Sequence, residues 1–367
     1  MKTFANNNLK VSLVVDWLEE FGGSERVILT LIEIFPDAHL WTLWNNNNQI
    51  QKLIGSNIHE SYIGKLPKKL RRPIAMLLAI PFWRNLNFSN HDLVIVVSHQ
   101  FAHTVRFRNS NCNYFYYILT PIRYVWNPEI DTRLKFLRRT PFMRIIRYLD
   151  SRYAPQENLY AISGEIQNRI KANWKVNSGI IYPPVSVKIT IDDKNVDVVT
   201  LAKLPPKYLV AAGRWIKYKN FDKSISVAKN SSMPIVILGG GPEKESLKKF
   251  ANLLNAEVVF IENPNRDTFL RIIELSEAFI FPALEDFGIT PIESMALGTP
   301  VIGLNFGGLS ETVVHGVSGF LANDANELVQ FVARVGMLHS ESIMESVQKF
   351  SPARFQKEII NALKLNH

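Results

Sequence analysis

A single cysteine, Cys112, stands in 367 residues. No disulfide can close within the chain and no cysteine zinc cluster can form, which suits a reducing compartment. Long apolar runs are also missing. The longest, residues 74–83, contains Pro81 and falls well short of the about 20 residues a spanning helix needs. Residues 1–10 are polar and asparagine-rich and read as carrying no apolar signal core. No Asp-x-Asp pair occurs, and His39, His59, His91, His315, His339 and His367 have no ligand-like spacing. His99 and His103 stand i, i+4 with no third ligand in view, so no metal site is expected. Acids are scarce in one region. Residues 61–152 hold 16 Lys/Arg against 4 Asp/Glu, a local +12 beside +9 for the whole chain. That stretch calls for an anionic partner: a membrane surface, a lipid pyrophosphate or nucleic acid. Nucleic acid fits worst, because no recognised binding motif accompanies the charge.

What is present is alternation. Near-continuous Val/Ile/Leu/Phe runs predict strands at 10–15, 39–43, 92–98, 113–119 and 158–163. A second set falls at 208–212, 234–238, 257–261, 278–282 and 300–304. Such runs suit strands buried on both faces. Helical patterns lie between them, at 24–35, 221–229 and 243–254 among others. The alternation implies an α/β fold of parallel, doubly wound sheets. Residues 1–185 read as one Rossmann-like domain and 206–350 as a second. The proline-paired, strand-poor stretch 186–205 reads as the linker, and 351–367 as a C-terminal helix packing back on the first domain. Ligands of such sheets bind at the carboxyl ends of strands.

Four strand-to-helix turns carry chemistry. In Phe21-Gly22-Gly23-Ser24-Glu25, two glycines open a helix whose free N–H groups suit phosphate; the plainer reading is a glycine turn with Ser24 as helix cap. Gly213-Arg214, with Lys219 five residues beyond Arg214, sets two cations at a strand end, fit to clamp a diphosphate; two solvated surface cations are the alternative. The third turn is Glu285-Asp286-Phe287-Gly288-Ile289-Thr290-Pro291-Ile292-Glu293. There Thr290 reads as N-cap and Pro291 as the first helical position. Glu293 reads either as closing a capping box or as binding a ribose. Glu285 has no capping role and lies close enough to share a ligand with Glu293. The fourth turn, Asn305-Phe306-Gly307-Gly308-Leu309-Ser310-Glu311, repeats the glycine pair. Gly239-Gly240-Gly241 with Glu262 about twenty residues on imitates a dinucleotide fingerprint. Lys244 replaces its third glycine and Pro242 interrupts it, so a tight turn is the better reading.

Taken together, these turns resemble glycosyltransferase family 4, which is retaining and has the GT-B fold of two doubly wound Rossmann-like domains facing across a cleft. Glu285 and Glu293 match its Glu-x7-Glu motif, and Gly213-Arg214 with Lys219 its diphosphate clamp. FGGSE and FGGLSE match its glycine loops. SHQFAH (98–103), LTPIRYVW (119–126) and IYPPV (181–185) resemble the branch of O-antigen and exopolysaccharide mannosyltransferases. Leu119 stands where that branch has histidine. The resemblance implies a hexose, mannose from GDP-mannose foremost, moved from a GDP- or UDP-linked donor to a glycan or lipid-pyrophosphate-linked acceptor, with no metal. Arg214, Lys219 and Glu285 would be catalytic. Gly22, Gly23, Gly213, Asp286, Phe287, Gly288, Ile289 and Glu293 would join them in holding the donor. Two other classes stay open: a donor-binding relative without turnover, suggested by Leu119, and a nicotinamide-dependent oxidoreductase, suggested by Gly239-Gly240-Gly241.

Lys65, Lys68, Lys69, Arg71 and Arg72 surround Leu66 and Leu70 and precede the apolar run. Basic plus apolar fits docking on an anionic bilayer, hence a cytoplasmic protein peripheral at the inner membrane face. A solvated face with the run in the core is the competing reading.

Overall fold

The computed structural model describes residues 9–365 except 21, 107–111, 129–130 and 132–138. The chain divides into two compact units. The first comprises residues 1–184 and 352–367, the second residues 185–351.

The first unit is built on a seven-stranded sheet of order β3-β2-β1-β4-β5-β6-β7. Its strands are β1 Val11–Val15, β2 His39–Thr42, β3 Ile58–Glu60, β4 Leu93–Ser98, β5 Asn113–Ile118, β6 Leu159–Ala161 and β7 Gly179–Ile180. The second unit holds a six-stranded sheet of order β10-β9-β8-β11-β12-β13. These are β8 Leu209–Arg214, β9 Ile235–Gly240, β10 Val258–Glu262, β11 Ala278–Phe281, β12 Val301–Leu304 and β13 Gly319–Ala322. Every pair in both sheets is parallel. The central strands β1, β4 and β11 are buried along their whole length, as helices on both faces require. Strand order reverses between β1 and β4 and again between β8 and β11, and those switch points are where such folds bind ligands.

All ten strands expected from the apolar runs are present. Three others, β3, β7 and β13, carry no such run, and each lies at a sheet edge. The stretch 186–205 belongs to the second unit and is fastened there rather than free as a linker. The Asp197 backbone N–H donates to Thr268 Oγ1 at 2.8 Å, Asn195 Nδ2 to Asp267 Oδ2 at 3.1 Å, and Arg271 pairs with Asp193 at 2.5 Å. The helix Pro352–Leu365 packs on the first unit. There Arg354 donates to the Tyr182 carbonyl at 2.8 Å and Phe355 meets the Tyr117 ring edge-on.

Candidate functional site

The carboxyl ends of β8 and β11 lie side by side at the second switch point. After β8 the chain makes a single turn, Lys217–Lys219, and Asn220 adopts a left-handed φ of 55° before the helix Phe221–Asn230. Asn220 Nδ2 donates to the Pro282 carbonyl at 2.9 Å, which ties this turn to the loop after β11. The tie brings Lys219 onto Glu285, and the two form a part-buried ion pair. Gly213, at φ 142°, lies under the lysine stem: a Cβ there would sit 3.8 Å from Lys219 Cε. Arg214 is exposed at the end of β8.

The 285–293 loop differs from its sequence reading at the helix start. The helix is Ile289–Ala296, and its N-cap is Gly288 in a left-handed conformation with no side-chain cap bond. Thr290 is therefore not the cap, nor Pro291 the first helical residue. Glycine accepts φ 91° without strain, so the chain turns two residues earlier. Glu293 is thereby one turn into the helix. Its carboxylate is 2% exposed and pairs with Arg266, the first residue of the helix Arg266–Glu274. Arg266 Nη1 reaches Glu293 Oε2 at 3.3 Å. The carboxylate thus serves a guanidinium, and Arg266 is a cation the sequence reading missed. It lies in the first turn of an ordinary amphipathic helix, with no glycine or motif to mark it. Asp286 and Phe287 are buried, the latter edge-on to Phe350 at 5.4 Å. The pair Gly307-Gly308 has a packing role. Cβ atoms there would lie 2.7 Å from the Glu285 carbonyl oxygen and 2.3 Å from Phe287 Cα, while Gly308 N–H donates to the Glu285 carbonyl at 2.9 Å. The fourth turn therefore braces the third.

Gly239-Gly240-Gly241 also serves packing. A Cβ on Gly239 would meet the Gly213 carbonyl oxygen at 2.0 Å, and one on Gly241 that of Trp215 at 2.5 Å. Glu262 pairs with Lys244 at 2.5 Å, which raises the lysine pKa through that hydrogen bond. The acid a dinucleotide ribose would need is engaged elsewhere.

In the first unit the switch point is organised by an aspartate that the motifs did not flag. Asp16, just past β1, is fully buried and accepts backbone N–H groups from His99, Gln100, Phe101 and Ala102 at 2.7–2.8 Å. Ser98 Oγ adds a fifth contact at 3.3 Å. Asp150, in the helix Pro141–Arg152, is likewise fully buried and accepts from the indoles of Trp126 at 2.7 Å and Trp174 at 2.6 Å. Burial pushes its pKa up, against the His103 imidazole 3.4 Å away. His99 and His103 thus serve different carboxylates, and among the described residues no cluster of metal-ligating side chains occurs. Gly22 is the N-cap of the helix Gly23–Ile34 with no side-chain bond, so Ser24 does not cap it. Glu25 folds back instead to accept the Glu19 N–H at 2.8 Å.

The family described as Glycosyl transferases group 1 matches residues 192–352. Among curated proteins, the human GDP-Man:Man(3)GlcNAc(2)-PP-Dol alpha-1,2-mannosyltransferase is 25% identical over 62% of this chain and 54% of its own length. The alpha-1,3/1,6-mannosyltransferase ALG2 of Candida albicans is 24% identical over 62% of each. An uncharacterized glycosyltransferase of Methanocaldococcus jannaschii is 26% identical over 43% of this chain and 45% of its own length. The chain thus spans about half the length of these relatives. Among solved structures, Anabaena HepE in complex with UDP and glucose aligns over 97% of this chain and all of its own, with TM-score 0.68 and 16% identity. Sucrose-phosphate synthase of Thermosynechococcus elongatus aligns over 97% and 98%, with TM-score 0.72 and 14% identity. These neighbours are GT-B proteins, and the fold is GT-B.

Proposed function

We propose that this chain, which carries a Glycosyl transferases group 1 domain over residues 192–352, transfers a sugar from a nucleoside diphosphate held at the second switch point. The observation that carries this is the part-buried Lys219–Glu285 pair at the carboxyl ends of β8 and β11, with the buried Glu293 held by an exposed Arg266 in the same loop system. A diphosphate reaching Lys219 competes with Glu285 for the ammonium. Glu285 is then released to accept hydroxyl groups of the transferred sugar. We read Glu293 as the ribose acceptor, a role that requires its carboxylate to exchange Arg266 for the sugar hydroxyls. Arg214, exposed at the end of β8, adds a second cation for the phosphates.

In the reaction, the bond from the anomeric carbon to the phosphate oxygen breaks as the bond to the acceptor oxygen forms. The acceptor proton goes to the departing diphosphate, and the cations lower the barrier by holding the charge that grows there. We read the transfer as retaining and metal-independent. We read the donor as GDP-mannose, the acceptor as a glycan or lipid-pyrophosphate-linked sugar of cell-surface polysaccharide synthesis, and the place of work as an anionic inner membrane face. The names of two curated relatives support mannose. The bound UDP and glucose of the Anabaena protein keep a UDP-linked hexose as the first alternative. Lys65, Lys68 and Lys69, exposed before and within the helix Lys68–Asn85, support the membrane reading. Arg71 is half-buried and donates to Asn46 at 3.1 Å, while Arg72 is exposed and pairs with Glu19 at 3.1 Å. No helix among the described residues is long and apolar enough to cross a membrane.

Incubation with GDP-mannose, UDP-glucose and UDP-galactose, with a lipid extract as acceptor, tests the reading. Release of one nucleoside diphosphate that falls sharply in Glu285→Gln is expected, with the product anomer set by NMR. Release from none of the donors, with no donor affinity by calorimetry, would sink it.

A further inference from the structure

The helices Lys68–Asn85 and Pro141–Arg152 leave a groove of about 410 Å³ between them, lined by Met76, Leu77, Ile80, Phe142, Ile145 and Leu149 among others. Two of those walls face solvent: Leu77 is 61% exposed and Ile145 55%. Leu70, Leu78 and Tyr148, on the same helices, are also exposed. Isolated surface leucines are ordinary, but a cluster beside a formed groove marks a binding surface.

The accessible charges of the two helices have one sign, with Glu19 meeting Arg72 from outside them at 3.1 Å. Lys68, Lys69, Arg71, Arg72 and Arg84 lie on the first helix, which has no acid. Arg144, Arg147 and Arg152 lie on the second. Its one acid, Asp150, is fully buried and committed to two indoles. Arg84 spans the groove and lies 3.8 Å over the Tyr153 ring. The helix Lys244–Leu253 contrasts with these: it interleaves lysine with glutamate and exposes Leu253 alone among its large apolar residues.

We propose that this groove takes a hydrocarbon chain of an anionic phospholipid whose phosphate meets the surrounding cations. Apolar walls suit the chain, which loses water contact there. The cations suit the headgroup, each contributing on the order of 1 kcal/mol near an anionic surface. One molecule supplies both chemistries, and the volume lies in the range of small-ligand sites, about 300–1,000 Å³. The proposal deepens the membrane reading above by adding an inserted chain to surface attraction.

The two are separable by experiment. Salt releases a protein held by charge alone but leaves one held by an inserted chain. Phosphatidylglycerol–phosphatidylcholine vesicles in flotation should therefore retain part of the wild type at high salt. Leu77→Glu and Ile145→Glu, on exposed positions that leave the core intact, should each weaken that retained fraction by about tenfold, as for a leucine side chain kept from hydrocarbon. A fluorophore on Leu77→Cys should be quenched by chain-brominated phosphatidylglycerol. Labelling there is selective, because burial pushes the Cys112 thiol up to about 11. Flotation fully released by salt and unchanged in both variants would overturn the groove while leaving surface docking in place. Capture by heparin without vesicle binding would replace the lipid with a soluble polyanion. Calorimetry with GDP and UDP on the same samples reports the donor site independently, so loss of lipid binding is not mistaken for failure of the transferase reading.

Discussion

The two switch points share a topology and spend their charges differently. In the first unit Asp16 is turned wholly inward, holding the backbone of residues 99–102. In the second unit Glu285 and Glu293 pair instead with side-chain cations, a part-buried Lys219 and an exposed Arg266. A carboxylate bonded to four backbone N–H groups cannot leave them without orphaning buried donors. One paired with a lysine can exchange partners when a phosphate arrives. Buried acid at a strand end is therefore no sign of a ligand site by itself; the partner decides.

The comparison breaks most easily at Asp16. Asp16→Ala should cost on the order of 4 kcal/mol in urea unfolding of the first unit, because four buried donors lose a charged acceptor. Glu285→Ala should cost less, about 1–2 kcal/mol, because it breaks one part-buried ion pair and leaves no backbone donor without its acceptor. Equal costs would erase the distinction. Asp150 is next. Asp150→Leu orphans two indoles and should cost about 2–4 kcal/mol, whereas Asp150→Asn keeps an acceptor. The Asp150 pKa is raised in the fold, so stability should fall as pH climbs above the ordinary carboxylate value of about 4. Asp150→Asn should flatten that slope in thermal melts.

How much of this was legible beforehand follows from where water is excluded. Strands buried on both faces must be apolar throughout, so β1, β4, β8 and β11 announce themselves. The edges need not be: β3 reads Ile-His-Glu, β7 is two exposed residues, and β13 begins with glycine. Glu285 and Lys219 stood out by their turns and by family likeness. Arg266 did not, because a cation opening an amphipathic helix looks like any other surface arginine. Asp16 escaped for a different reason: its partners are backbone amides 83–86 residues away, which leave no side-chain pattern.

Smaller effects sharpen the contrast. Lys219→Ala should weaken nucleoside diphosphate binding by about 1.5–3 kcal/mol in calorimetry, the scale of a charge-assisted hydrogen bond, with little change in unfolding. Unchanged affinity removes Lys219 from the site. At the first unit's edge, His39, His59 and His91 converge, with His39 Nδ1 2.9 Å from His59 Nε2. Burial lowers the pKa of His59 and His91. The fold then binds fewer protons than the unfolded chain, so stability should decline modestly as pH falls through about 6.5. His59→Phe should blunt the decline, and melts that are flat over this window would refute the coupling.

The helix Pro352–Leu365 has a consequence for synthesis. Because it packs on the first unit, the second unit is an insertion in the sequence of the first, between Pro184 and Pro352. Emerging from the ribosome, the first unit begins earliest yet closes last. The second unit, translated in one stretch, has its whole sequence available while the first still lacks a helix. Folding order and chain order are thereby uncoupled. A stop codon ahead of residue 352 would leave the second unit nearly whole and the first unit without the helix that covers Tyr117 and Tyr182.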